Sequence, residues 1–133
     1  MKKSLIIAVD FDGTIVEHKY PQIGKELPFA FDTLKALQRK GHKLILWTYR
    51  TGQELDDAVE LCRDKGLEFY AINRNYPEEK LTENIGRKIL ADLYIDDRNF
   101  GGMPQWTDIF QALHPEESRI TDKKSEKKWW KIK

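Results

Sequence analysis

The chain has 133 residues, 40% hydrophobic and 34% charged, and its 23 basic and 22 acidic side chains nearly cancel at a net charge of +1. That length suits one domain around one core, and the apolar content is too high and the net charge too low for a disordered chain. The single cysteine excludes a disulfide scaffold and a Cys-rich zinc site, no apolar run approaches the ~20 residues of a membrane helix, and near-neutral charge makes no electrostatic case for nucleic acid as a partner.

In chain order, Ser4-Leu5-Ile6-Ile7-Ala8-Val9 is continuous, apolar and β-branched, as a strand buried on both faces of a parallel sheet should be. The same run stops at Asp10, too soon for the apolar stretch of a signal peptide behind Lys2 and Lys3; a cytoplasmic location is expected. Residues 15–24 are mixed and read as a loop or short flap. From Pro28 to Lys40, Phe31, Leu34 and Leu37 recur at helical spacing, and Gly41 follows. Residues 43–47 form a second short strand. Leu55, Ala58, Val59 and Cys62 lie on one face of a second helix that Gly66 closes, and residues 67–72 read as a third strand. The stretch 73–90 is polar, with Pro77 arguing against a strand and a helix expected around 78–86. Residues 90–95 are a fourth strand. Behind Gly101, Gly102 and Pro104, the residues Trp106, Ile109, Phe110 and Leu113 mark a third helix. Strands alternating with helices imply right-handed crossovers and a doubly wound, Rossmann-like, mainly parallel α/β sheet with helices on both faces. One domain over residues 1–115 is followed by a tail, 116–133. The last twenty positions carry seven Lys/Arg against four acids and the pair Trp129-Trp130; the tail reads as a solubilising terminus, or as a segment that docks on the body or a partner.

In such a sheet the ligand site lies beyond the carboxyl ends of the strands, near a switch in strand order. The first strand ends in Asp10-Phe11-Asp12-Gly13-Thr14, the second in Thr48-Tyr49-Arg50, and the fourth in Asp96-Asp97, with Lys88 just before it. Carboxylates converging without partners repel, and a hard divalent cation relieves that repulsion. Oxygen ligands with no His or Cys cluster favour Mg²⁺ over zinc. A cation with a lysine and a hydroxyl beside it makes a phosphoryl pocket. One carboxylate there can attack phosphorus, and another two residues on can protonate the leaving oxygen and then deprotonate the hydrolytic water.

This ordered set, spread over residues 4–100, resembles the haloacid dehalogenase superfamily of phosphohydrolases. The resemblance implies a phosphatase acting on a phosphate monoester through an aspartyl-phosphate, with Mg²⁺ as cofactor. It implies Asp10 as nucleophile and metal ligand, and Asp12 as general acid/base with its backbone carbonyl on the metal. It further implies Thr48 and Lys88 as the phosphate-binding pair, and Asp96 and Asp97 in the metal shell. The run from Arg87 to Arg98 is similar to that of the superfamily's 5′-deoxyribonucleotidases, and Lys80 and Arg87 are the alternatives to Lys88. Positions 13–47 and 49–87 are too short to hold the cap domain of most relatives, so an open, capless site is expected. Bulky substrate, a second subunit of a homo-oligomer, or the tail would then close it.

Blander readings stand beside these. Asp10 and Asp12 alone could be a strand-end turn; Thr48 could be an ordinary strand residue and Asp97 a turn cap. Arg50 either contacts substrate or pairs with an acid, and Arg98 and Asn99 fit salt-bridge or turn roles as well as substrate. His42 and His114 follow no metal-ligand spacing and read as structural, while His18 and Tyr20 sit on the presumed flap. Cys62, Trp47 and Trp106 read as core. The competing functions are a receiver-like phosphoacceptor switch, whose acid pair would follow the first strand instead of the fourth, and a non-catalytic domain that binds phosphate or metal.

Overall fold

The computed structural model describes residues 3–80 and 89–117. Four strands, β1 (Ile6–Val9), β2 (Lys43–Leu46), β3 (Ala71–Ile72) and β4 (Leu93–Ile95), form one parallel sheet in the order β3-β2-β1-β4. Three helices, α1 (Ala30–Arg39), α2 (Gly52–Asp64) and α3 (Trp106–Leu113), complete a doubly wound α/β fold. Their side chains divide by the two-residue period of a strand. Ile7, Val9, Leu44, Leu46 and Ile95 face α1, α2 and α3 in the main core. Ala8, Ile45 and Ala71 face the other way, against Ile89, Trp47 and Tyr94.

The described helices thus share one face of the sheet. On the opposite face Ile89, from the described end of the return from β3 to β4, is buried. Residues 73–80 of that return form bends and a turn, closed by the Glu79 N–H donating to the Tyr76 carbonyl at 3.0 Å, so the described part of the helix expected around 78–86 is not helical. Residues 81–88, with Arg87 and Lys88, lie outside the described residues, as do 118–133 with Trp129-Trp130. Among the described residues no helix is long and apolar enough to cross a membrane.

Each strand is shorter than its apolar run. β3 shrinks most, to two residues from an expected six, because among the described residues it is an edge strand paired with β2 alone. α1 begins two residues after Pro28, with Phe29 in the left-handed region at φ 63°. Gly41 and Gly66 end α1 and α2 as expected, and the next residue of each pair sends its N–H back to the helix, His42 to Leu37 and Leu67 to Cys62. Cys62 is fully buried on the apolar face of α2, and burial pushes its thiol up to about 12.

At the N-terminal edge of the sheet two histidines meet in the interior. The Leu5 N–H donates to His42 Nδ1 at 3.0 Å, which leaves the His42 proton on Nε2. That nitrogen is 2.9 Å from His114 Nε2, so His114 carries its proton on Nδ1, 3.3 Å from the Glu116 carboxylate. The bond from Leu5 holds only while His42 Nδ1 carries no proton. Burial and the neighbouring His114 accordingly lower the His42 pKa. At His42 the unfolded chain therefore binds more protons near and below pH 6.5, and the contribution of this imidazole is full above that value and lost as pH falls. The denaturant midpoint should drop between pH 7.5 and pH 5, and the drop should shrink in His42→Gln.

Candidate functional site

The doubly wound order sends connections from β1 toward β2 on one side and from β3 across to β4 on the other. β1 and β4 are therefore the neighbours at the switch point, and their carboxyl ends carry Asp10 and Asp96-Asp97. One carboxylate oxygen from each of Asp10, Asp96 and Asp97 lies within 4.8 Å of the others, and all three residues are half-buried. The cost of this crowding is visible in the acidities of Asp10 and Asp97. Burial, then the charges of Asp96, Asp97 and Asp12, push the Asp10 carboxyl up to about 7 against the opposing pull of the Phe11 backbone N–H. Asp97 is also raised, by burial and by Asp96. Three oxygen donors that resist sharing negative charge are the donor set of a hard divalent cation, so the residues present fit Mg²⁺.

A tight turn follows β1. The N–H groups of Thr14, Ile15 and Val16 all point to the Phe11 carbonyl at 3.1, 2.9 and 3.3 Å. Gly13 has φ +81°, and a Cβ there would lie 2.2 Å from Asp97 Oδ2. The turn thus needs glycine twice over, for its backbone and for the carboxylate resting on it. Gly13→Ala should displace Asp97 as well as strain the loop, and denaturant unfolding should show a loss of about 1–3 kcal/mol of stability.

Thr48 follows β2 and is buried. Its backbone N–H donates to Asn73 Oδ1 at 2.8 Å, and its hydroxyl accepts from the Arg50 N–H at 3.2 Å. Asn73 itself sits at φ +53°, a region that asparagine tolerates better than most residues. Asn73 lies just beyond the expected third strand and has no role in the sequence reading; an asparagine closing a strand is the available signal for its part in holding Thr48.

Arg50 pairs with an acid, and the acid is Asp12. Nε donates to Asp12 Oδ2 and Nη2 to Asp12 Oδ1, both at 2.7 Å, with both side chains fully buried. Nη1 donates to the carbonyls of Pro21 and Glu54, each at 3.2 Å, and Nη2 also to that of Gln22 at 2.9 Å. These five bonds engage the full donor capacity of a guanidinium. The rings of Phe11 and Tyr20 lie 5.1 Å from its central carbon. Arg50 thereby ties the flap to the start of α2 and holds both Asp12 oxygens. The Asp12 carboxylate is accordingly not part of the three-carboxylate cluster.

A cavity of about 320 Å³ opens over these groups, lined by Asp10, Asp12, His18, Trp47, Thr48, Tyr49, Asp96, Asp97 and Arg98. Trp47 packs against the smaller core as expected and, half-buried, also lines this cavity; Trp106 is core, with its indole N–H donating to the Thr14 carbonyl at 2.9 Å. Arg98 supplies a cation to the cavity wall, and its backbone N–H donates to Asp96 Oδ1 at 2.9 Å, while the Asn99 side chain donates to the Asp96 carbonyl at 2.6 Å. Lys80 is exposed and does not line the cavity; Lys88 and Arg87 are outside the described residues. Of the six residues singled out in the sequence, five meet at this rim.

The fold and the site define a parallel, doubly wound α/β protein with an acidic pocket at its switch point. No family model matches the chain. It is similar to the solved structure of a conserved protein from Bacteroides thetaiotaomicron, with 55% identity, coverage of 87% of this chain and 94% of that one, and a TM-score of 0.79. The chain belongs to the family of that conserved protein. It is also 34% identical over 85 residues to the cobalamin-dependent radical SAM methyltransferase TokK of Streptomyces tokunonensis, a match covering 44% of this chain. The chain spans 12% of the length of that curated relative.

Proposed function

We propose that the protein is a Mg²⁺-dependent phosphohydrolase of the haloacid dehalogenase type, cleaving a phosphate monoester through an aspartyl-phosphate on Asp10. The observation that carries this reading is the meeting of Asp10, Asp96 and Asp97 within 4.8 Å at the switch point, beneath a cavity that Thr48 also lines. Asp10, Asp96 and Asp97 would hold Mg²⁺ with the Asp12 backbone carbonyl, and the ion would supply neutralisation of the charge on the cluster and the phosphoryl oxygens.

In the first half-reaction an Asp10 oxygen attacks phosphorus, the bond from phosphorus to the ester oxygen breaks, and the departing oxygen takes a proton from Asp12. In the second, water attacks phosphorus and gives its proton to Asp12. The bond from phosphorus to Asp10 breaks, and inorganic phosphate leaves. The Thr48 hydroxyl donates to a phosphoryl oxygen. The resemblance assigns the partnering cation to Lys88, and Arg98 is a second cation at hand. For Asp12 to serve, one of its oxygens must leave Arg50 and take up a proton from solvent before the first half-reaction; the proton taken from water in the second half-reaction then restores that state. A buried lone cysteine accords with a cytoplasmic setting, and with no cap inserted between Gly13 and Trp47 a bulky substrate or a second copy of the chain would close the site.

Release of phosphate from p-nitrophenyl phosphate should require Mg²⁺ and stop on chelation. Equal inertness of wild type and Asp10→Asn across sugar, nucleotide and peptide phosphates would reverse the reading. The engagement of both Asp12 oxygens by Arg50 is the observation that favours the other reading, a domain that binds phosphate and metal without turnover.

A further inference from the structure

The cavity has an aromatic side as well as an acidic one. Tyr49 follows Thr48 directly and is 57% exposed, and Tyr20 on the flap is 41% exposed. Their ring centroids are 5.0 Å apart at 55°, and the Tyr49 hydroxyl lies 3.5 Å from His18 Nε2. Tyr20 in turn rests on the guanidinium of Arg50, whose donors are all engaged. Trp47, on the other side of Thr48 in the chain, is braced by Tyr94 at 5.5 Å. Tyr49 is thus fixed at its edge while more than half its surface stays open at the mouth of the cavity.

An aromatic ring left open costs hydrophobic free energy, and a ring held still has already lost the rotamer freedom that binding would take. Both costs are recovered when a planar group lies on the ring. Adjacent Cα atoms are about 3.8 Å apart, so the open ring sits one residue from the hydroxyl assigned to the phosphoryl group. The acidic cluster, repelling an anionic leaving group, leaves this wall as the place for the uncharged part of the ester.

We infer that the preferred substrates are phosphate monoesters whose leaving group carries a planar aromatic or heteroaromatic ring, bound on Tyr49. The substrate class rests on the phosphatase reading above; the ring site is open to measurement without it. Benzylphosphonate and cyclohexylmethylphosphonate have matched size and the same anionic head, and neither can be hydrolysed. With Mg²⁺ present, calorimetry should show benzylphosphonate binding about tenfold more tightly, as aromatic stacking typically gives. That ratio should persist in Tyr49→Phe and fall to within about twofold of unity in Tyr49→Leu. Equal affinity in the wild type, binding of neither compound, or a preference that survives Tyr49→Leu would each overturn the inference. The matching esters, benzyl phosphate and cyclohexylmethyl phosphate, separate the two claims. A ring preference in binding with no phosphate released from either ester sinks the phosphatase reading and keeps the ring site. Release from both at equal rates, with equal affinities, does the reverse.

Discussion

Asp10→Asn is expected to lower Mg²⁺-dependent phosphate release by about 10³-fold or more, because the amide cannot attack phosphorus. The same substitution should raise the stability of the metal-free protein above pH 7. Burial and the facing carboxylates push Asp10 up to about 7, from an ordinary value of 3.8. The folded chain therefore keeps a proton that the unfolded chain gives up near pH 4. Its contribution to stability is full below that value and is lost as pH rises through about 7. Asparagine carries no charge at any pH and escapes this loss. Mg²⁺ held as proposed would act in the opposite sense, since it would favour the ionised form. The rise in melting temperature on adding Mg²⁺ should thus be larger at pH 8 than at pH 6 in the wild type and much reduced in Asp10→Asn. A variant that kept the wild-type rise would mean that Asp10 does not help hold the ion.

Arg50→Met is expected to destabilise the fold by about 3–5 kcal/mol, the usual cost of leaving one member of a buried ion pair alone. The Asp12 carboxylate would stay buried without its two 2.7 Å donors, and the carbonyls of Pro21, Gln22 and Glu54 would lose theirs. Arg50→Lys should recover little of this. An ammonium has three donors from a single point and cannot span both carboxylate oxygens and carbonyls from two segments. The double variant Asp12→Asn with Arg50→Met should be more stable than Arg50→Met alone, since the uncompensated charge is gone. Denaturant midpoints for the four proteins test this directly. If the single and double variants matched, the pair would owe its place to packing and not to charge. Phosphate release by Arg50→Met should fall by about 10²-fold, because positioning of an acid/base group is typically worth that much.

Much of the fold was legible. The runs at residues 4–9 and 43–47 are apolar without alternation because a parallel sheet covers both their faces, and both became strands. The spacing of Phe31, Leu34 and Leu37 placed α1, and that of Leu55, Ala58 and Cys62 placed α2. Residues 67–70 misled because an edge position cuts pairing short, whatever the β-propensity of Phe69 and Tyr70. The helix expected around 78–86 failed in its described part, where Glu79 accepts from the Asn75 N–H and side chain at 2.6 and 3.2 Å and turns the chain instead.

By itself, the order of residues determined that carboxylates stand after two buried strands and a threonine after a third, because apolar runs and the polar groups that end them are neighbours along the chain. Tertiary structure alone decided that β1 lies between β2 and β4, so that Asp10 meets Asp96 and Asp97. It also decided that Arg50 takes Asp12, that His42 takes His114, and that Trp47, packed against the smaller core, lines the cavity as well. Such pairings join groups far apart in the chain through the direction and reach of individual side chains, and no local period of hydrophobicity or charge records them.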